Sequence, residues 1–305
     1  MGRAGSRRVA GCGPRERGPR GVRLGDRRTV GHTCPSRRPR RGDRIVGERG
    51  VMMESSDRVA VITGGAAGIG AAIADALLAA GTRRLVLTYN GSEDAARETV
   101  TRLESRGARV IAVRTDVRDE AQVRALAAHC EEEFGRCDLL VNNAGTTRWI
   151  PLGDLDAVDD ETWNELLSVN VVAAFRTARA FAPLLKASGG VIINIASISA
   201  HRGIGSSIPY GVSKAALVQL TRTLAATLGP EIRVNSVSPG TVSTRWQLDH
   251  HGDAFAELAA REREVAPLAR TLGPEDVAQA VLGLVGAEGV TGVDLIVDGG
   301  KHITY

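Results

Sequence analysis

Aromatic residues make up only 3% of the 305-residue chain. That leaves too few rings for the stacking platforms that hold single-stranded nucleic acid. Long apolar runs are missing too: no stretch approaches the ~18–20 residues that a membrane-spanning helix requires. The four cysteines, at 12, 34, 130 and 137, have neither metal-ligand spacing nor the pattern of a disulfide framework, so no metal is expected. These absences lead us to expect a soluble, cytoplasmic protein with no membrane partner. What is present admits a globular enzyme. A hydrophobic fraction of 43% with 36 glycines and 11 prolines is incompatible with a wholly disordered or collagen-like chain.

The net charge of +4 conceals two regions of opposite sign. Residues 1–51 hold fifteen arginines against Glu16, Asp26, Asp43 and Glu48, a net of +11, which leaves −7 for the rest. Arginine, glycine and proline account for 30 of those 51 residues, and none is Phe, Trp or Tyr. Such a segment buries too little apolar surface to offset the entropy of ordering it. It lacks the apolar core of a signal peptide, and its glycine and proline oppose an amphipathic targeting helix. Clustered arginines suit a phosphate-binding arm. The expectation, however, is an idle or artefactual extension, with translation starting at Met52 or Met53. Residues 1–52 are therefore set apart from a single domain over 53–305, which needs no nucleic-acid partner.

From Arg58 the pattern is regular. Short apolar runs rich in β-branched residues occur at 59–63, 85–89, 110–113, 139–142, 191–196, 232–237 and 293–297. Helical periodicity lies between them, clearest at 119–134, where Val123, Leu126, Ala127, Cys130 and Phe134 share one face. Strands alternating with helices imply right-handed βαβ units and an α/β doubly wound parallel sheet of the Rossmann type, with helices on both faces. Ligands of such sheets bind beyond the carboxyl ends of the strands.

The first run leads into Thr63-Gly64-Gly65-Ala66-Ala67-Gly68-Ile69-Gly70 and then an alanine-rich helix. Glycines at 64, 68 and 70 allow a tight turn and close backbone approach to a pyrophosphate, which the helix N-terminus attracts. An acid at the end of the second run would hydrogen-bond a ribose 2′-hydroxyl and repel a 2′-phosphate. Here Tyr89 and Asn90 stand instead, and the first acid, Glu93, comes too late. NADP(H) is therefore favoured over NAD(H), with Asn90 and Ser92 available as donors. No arginine occupies the ideal position.

Tyr210 and Lys214 are four residues apart on a helix, so their side chains share one face. A free phenol ionises near ~10. A neighbouring ammonium and the helix N-terminus are expected to lower that value. Ser197, at the end of the fifth run, is placed to hydrogen-bond a carbonyl. Together with Asp116-Val117, Asn142-Asn143-Ala144-Gly145, Asn170 and Pro239-Gly240, these motifs fall in one order. The set resembles the classical branch of the short-chain dehydrogenase/reductase family, over residues 58 to about 300.

That resemblance implies a seven-stranded sheet and a catalytic tetrad of Asn170, Ser197, Tyr210 and Lys214. It also implies cofactor contacts from Gly64, Gly68, Ile69, Gly70, Asp116, Val117, Asn143, Ala144, Gly145, Tyr210, Lys214, Pro239, Gly240, Thr241, Val242 and Thr244. A homotetramer or dimer follows from the same likeness. The expected activity is NAD(P)(H)-dependent interconversion of a secondary alcohol and a ketone, with a 3-oxoacyl-carrier-protein reductase as one variant. Tyr210 would exchange the proton and Ser197 orient the carbonyl, while Asn170 holds a water. A nucleotide sensor or scaffold without redox turnover is the alternative, which an intact tetrad disfavours.

Substrate identity would reside in residues 146–152, 199–208 and 245–266. In the last of these His250 and His251, adjacent on a helix, are expected on a solvated lid rather than at a metal. Trp149 and Trp246 are candidates to line an apolar pocket or to anchor that lid.

Overall fold

The structure, a computed structural model, describes residues 55–304. The expectations for residues 1–52, with Cys12 and Cys34, lie outside the described residues. Among those described, Cys130 and Cys137 are free and buried.

Seven parallel strands form one sheet in the order β3-β2-β1-β4-β5-β6-β7. They are β1 (Val59–Ile62), β2 (Arg84–Tyr89), β3 (Arg109–Arg114), β4 (Leu139–Asn142), β5 (Val191–Ile195), β6 (Arg233–Pro239) and β7 (Asp294–Val297). Each lies within two residues of an apolar run read from the sequence. The order reverses between β1 and β4, which are paired through Val61 and Leu140. The crevice that opens at such a reversal is where ligands of this architecture bind.

Nine helices accompany the strands among the described residues: α1 (Gly68–Ala79), α2 (Glu93–Glu104), α3 (Glu120–Phe134), α4 (Asp160–Leu167), α5 (Ala173–Ser188), α6 (Ile208–Leu228), α7 (Arg245–His251), α8 (Ala254–Val265) and α9 (Pro274–Gly286). Alternation along the strands divides the core in two. Ala60, Ile62, Leu85 and Leu87 pack with Ile73 and Leu77 of α1, Leu103 of α2 and Val281 of α9. Val59, Val61, Val86 and Leu140 pack on the opposite face with Leu126 of α3, Phe181 and Leu185 of α5, and Leu224 of α6. Burying a side chain of this size is worth about 1.5–3 kcal/mol, so the central strands carry much of the stability.

Local chemistry sets the helix ends. Asp119 accepts from the amides of Ala121 and Gln122 at the start of α3, and Gly135 ends that helix at φ 68°. Ser207 accepts from the Tyr210 amide and Pro209 occupies the first turn of α6. Both devices fix where Tyr210 emerges. Between α4 and α5 the chain widens into a π-turn, Ser168–Val172, which carries Asn170. Among the described residues no helix is long and apolar enough to cross a membrane.

Candidate active site

The glycine turn is built from three directions. Gly64 has φ 61° and Gly68 φ 54°, conformations that L side chains rarely adopt. The Gly64 amide donates to Thr88 Oγ1 at 3.0 Å, and Asn143 Nδ2 donates to the carbonyls of Thr63 and Gly64, each at 3.0 Å. Asn143 thus braces the turn with both its amide protons. Ala67 precedes α1 without any side-chain cap, so the helix's first amides are left to a ligand, as an anion would require. Gly70 faces backward: a Cβ there would meet the Gly64 carbonyl and lie 2.7 Å from Asn143 Nδ2. It packs the helix on the turn and lines neither cavity described below.

A cavity of about 830 Å³ opens beyond the strand ends, lined by Gly68, Ile69, Asn143, Gly145 and the backbone from Pro239 to Val242, with Thr244. Ser197, Tyr210 and Lys214 line the same cavity. A second cavity, about 400 Å³, adjoins it across Asn143 and Gly145 and is lined by Gly64, Tyr89, Asn90, Asp116, Val117 and Ala144. The two cavities share Asn143, Gly145 and Thr146 in their walls. The donor set fits a dinucleotide cofactor: uncapped helix amides for phosphates, and a glycine at 68 whose side chain would otherwise enter the cavity. Ser92 does not take part; it caps α2, accepting from the Ala95 amide at 3.2 Å.

Arg118, absent from the sequence reading, also lines the second cavity. Its guanidinium donates to both carboxylate oxygens of Asp116, at 3.0 and 2.6 Å. This pairing holds the Asp116 carboxyl below its ordinary range. A loop arginine two positions after Asp116 carries no local signal of this placement.

The polar side chains of the tetrad come from three places: the π-turn before α5, the end of β5, and α6, which carries both Tyr210 and Lys214. Ser197 follows β5 and caps a short 3-10 turn, accepting from the Ser199 amide at 3.2 Å. Lys214, on the second turn of α6, donates from Nζ to the Ile195 carbonyl at 2.9 Å. Asn170 lies behind the cavity wall, its Oδ1 accepting from the Thr146 amide and its Nδ2 donating to the Thr146 carbonyl and to Ser213 Oγ. Gly145 fits between: a Cβ there would lie 3.2 Å from Asn170 Oδ1 and 3.4 Å from Lys214 Nζ.

A buried chain of hydrogen bonds stiffens this floor from below. Thr177 donates to Asn142 Oδ1 at 2.6 Å, Asn142 to Asn194 Oδ1 at 2.9 Å, and Asn194 to Thr221 Oγ1 at 2.8 Å. It ties α5, β4, β5 and α6 together.

The expected lowering of the Tyr210 pKa is not found. Burial pushes the phenol up, and a hydrogen bond with Ser197 draws it part of the way back. Burial lowers Lys214 to about 8. Desolvation outweighs the ammonium's pull because Nζ is turned to a backbone carbonyl and lies 5.8 Å from the Tyr210 ring centre.

The lid keeps the solvated face that was expected, with no residue of α7 buried and His250 exposed, and its rings in addition pack on one another. His250 stacks on Trp149, ring centres 3.8 Å apart and planes within 4°, and His251 meets the same indole edge-on at 5.1 Å. Desolvation there, with the neighbouring His251 adding, holds His250 below its ordinary pKa. Trp149, Trp246 and His251 all line the larger cavity. Below them Lys301 donates to Glu262 Oε1 at 2.6 Å, and Thr241 donates to the same oxygen at 2.6 Å. Lys301 is buried, and this link between α8 and the turn after β6 had no sequence signal.

A glycine turn at the first strand of a doubly wound sheet, with a serine, a tyrosine and a lysine on the cavity beyond it, is the arrangement of a Rossmann-class oxidoreductase. The comparisons make the assignment specific. The family model described as enoyl-(acyl carrier protein) reductase matches residues 64–302. Ketoacyl reductase 2 of the granaticin polyketide synthase of Streptomyces violaceoruber, so named provisionally, is 44% identical over 80% of this chain and 96% of its own. Cis-4-hydroxycyclohexanecarboxylate dehydrogenase of Sinomonas cyclohexanicum is 37% identical over 80% of this chain and 96% of its own. The L-sorbose reductase of Gluconobacter frateurii, solved with NADPH and L-sorbose, superposes with a TM-score of 0.75 at 34% identity, covering 81% of this chain and 97% of that one. The chain belongs to the short-chain dehydrogenase/reductase family. It is an NAD(P)-dependent oxidoreductase acting on CH–OH groups and the corresponding carbonyls.

Proposed function

We propose that the protein is an NADP(H)-preferring ketone reductase in which Tyr210 is the proton donor. The observation that carries this reading is the convergence of Ser197, Tyr210 and Lys214 on the cavity that begins at the glycine turn. The nicotinamide, when bound, supplies the hydride. Ser197 and Tyr210 hydrogen-bond the ketone oxygen, and Tyr210 delivers its proton there as negative charge develops. A phenol raised by burial is protonated throughout the neutral range, which suits donation and hence reduction. Lys214, an ammonium below about pH 8, would bind the nicotinamide ribose and, with that partner present, return a proton to Tyr210. Asn170 positions the Thr146 backbone beside Lys214 and, by the family likeness, holds a water on the path to solvent.

Cofactor preference rests on the second cavity. Tyr89 and Asn90 present no carboxylate, and Arg118 brings a cation to the same wall. A 2′-phosphate would compete with Asp116 for that guanidinium. The substrate class best supported is a bulky ketone, with the oxoacyl compounds implied by the Streptomyces relative's name as the first to try. By the same family likeness the enzyme assembles as a homotetramer or dimer.

The test is a panel of 3-oxoacyl thioesters, cyclic ketones and secondary alcohols, followed by NADPH and NADH absorbance. NADPH-linked reduction of at least one bulky ketone is expected. NADH preferred throughout, or no turnover of any carbonyl or alcohol, would overturn the proposal.

A further inference from the structure

The turn that follows Ser197 is tied to a distant part of the chain. His201 closes the 3-10 turn Ile198–Ala200, its amide donating to the Ile198 carbonyl at 3.0 Å. Its ring crosses to β7, where Nε2 lies 2.7 Å from Asp294 Oδ2. A carboxylate can only accept, so Nε2 carries the proton.

Asp294 is braced to receive that bond. Its side chain is only 4% exposed, on the last strand of the sheet. Ser236 and Ser238, two apart on β6 and fully buried, face the same side. Ser236 donates to Oδ1 at 2.5 Å, and Ser238 Oγ lies 3.0 Å from Oδ1 and 2.8 Å from Oδ2. A buried carboxylate is costly unless donors surround it. Two serines hold this one from the sheet, and the imidazole holds it from the loop.

His201 lines neither of the two cavities, so it meets neither ketone nor cofactor. What it holds is the turn. There the Ser199 amide donates to Ser197 Oγ at 3.2 Å, and the Ala200 amide to the Ser197 carbonyl at 2.9 Å. With one Oγ lone pair engaged, the Ser197 hydroxyl is aimed rather than free to rotate. The neighbouring tie, from Arg202 to the Lys301 carbonyl, is longer at 3.3 Å.

We propose that His201 is a positioning residue: anchored on Asp294, it fixes the turn that aims Ser197 at the ketone oxygen. This role rests on the reductase reading above, in which Ser197 and Tyr210 share that oxygen. It depends on the Nε2–H bond, so glutamine, which carries an N–H at similar reach, should substitute and leucine should not.

The test is a double-mutant cycle with Ser197, following NADPH-linked reduction of the best ketone at high enzyme concentration. His201→Leu is expected to lower kcat about tenfold while the NADPH dissociation constant stays within about twofold, as for a misplaced orienting group. His201→Gln should keep kcat within about threefold of the parent, since its hydrogen bond is retained. In a Ser197→Ala background, His201→Leu should change kcat by less than about twofold, because the group it positions is gone. Should the leucine variant fail to fold, as read by its circular dichroism melt, His201→Ala takes its place in the cycle. Equal losses in both backgrounds, unchanged kcat in His201→Leu, or no recovery with glutamine would overturn the proposal and leave the reductase reading standing. No turnover of any ketone by the unaltered protein breaks that reading, and the positioning role with it.

Discussion

The floor of the active site and its lid are held by different forces. Ser197, Lys214 and Asn170 are buried and anchored to backbone atoms of the turn after β5, of β5 itself and of the segment after β4 respectively, over the hydrogen-bond chain through Asn142 and Asn194. The lid, α7 and α8, is held chiefly by side chains. No residue of α7 is buried and α8 buries Phe255 and Ala259; the remaining anchors are the rings around Trp149 and the Glu262–Lys301–Thr241 link of α8. Ring stacking and one ion pair are worth little beside a shared core. The chemistry is thus attached to the most stable part of the molecule and the discrimination to the least stable, the division expected when one fold serves many substrates.

The strongest challenge to that division is at the floor. Tyr210→Phe removes only the proton donor. Turnover should fall about 10²- to 10⁴-fold, while NADPH affinity, read by fluorescence, changes less than about twofold. Retained turnover would move the acid elsewhere.

Lys214→Met separates function from stability. Turnover should fall by roughly 10²-fold or more, yet the protein should become more stable at neutral pH. Holding a buried ammonium at about 8 instead of 10.5 costs on the order of 3 kcal/mol. Orphaning the Ile195 carbonyl returns about 1–2 kcal/mol of that. The sign follows from linkage. Below about pH 8 the lysine is protonated in both folded and unfolded states, and the full cost is present. From about 8 to 10.5 only the unfolded chain holds the proton, so the parent gains stability with rising pH and the advantage of the variant fades. Denaturant melts at pH 7 and 10 check this. Ketone reduction by the parent should itself decline as pH rises through about 8, where the ammonium is lost.

At the cofactor end, Tyr89→Asp should lower the NADPH-over-NADH preference roughly tenfold by repelling the 2′-phosphate. Arg118→Ala should lower it by several-fold, as the loss of one charge-assisted contact. Dissociation constants for both cofactors decide it, and no change in either variant would reverse the assignment.

The lid should respond most mildly. Glu262→Gln keeps the acceptor but loses the charge beside Lys301. It is expected to raise KM about threefold with kcat within twofold. A kcat loss as large as that of the floor variants would erase the contrast between the two regions.

Runs such as Val191-Ile192-Ile193 are legible as strands because a chain covered on both faces has no polar positions to alternate. The glycine turn and the Tyr210–Lys214 spacing are equally local, since turn geometry and helical periodicity act within a few residues. Strand positions, the glycine turn and the pairing of Tyr210 with Lys214 on one helix face were therefore written in the sequence, and family likeness added Ser197 and Asn170 to them. Tertiary structure alone decided that Arg118 would face the wall beside Tyr89, that Lys301 would reach Glu262, that His250 would stack on Trp149, and that His201 would meet Asp294. It also reversed the direction expected for the Tyr210 pKa. Each of these depends on which distant segments meet and how much water they exclude, and neither periodicity nor composition carries that information.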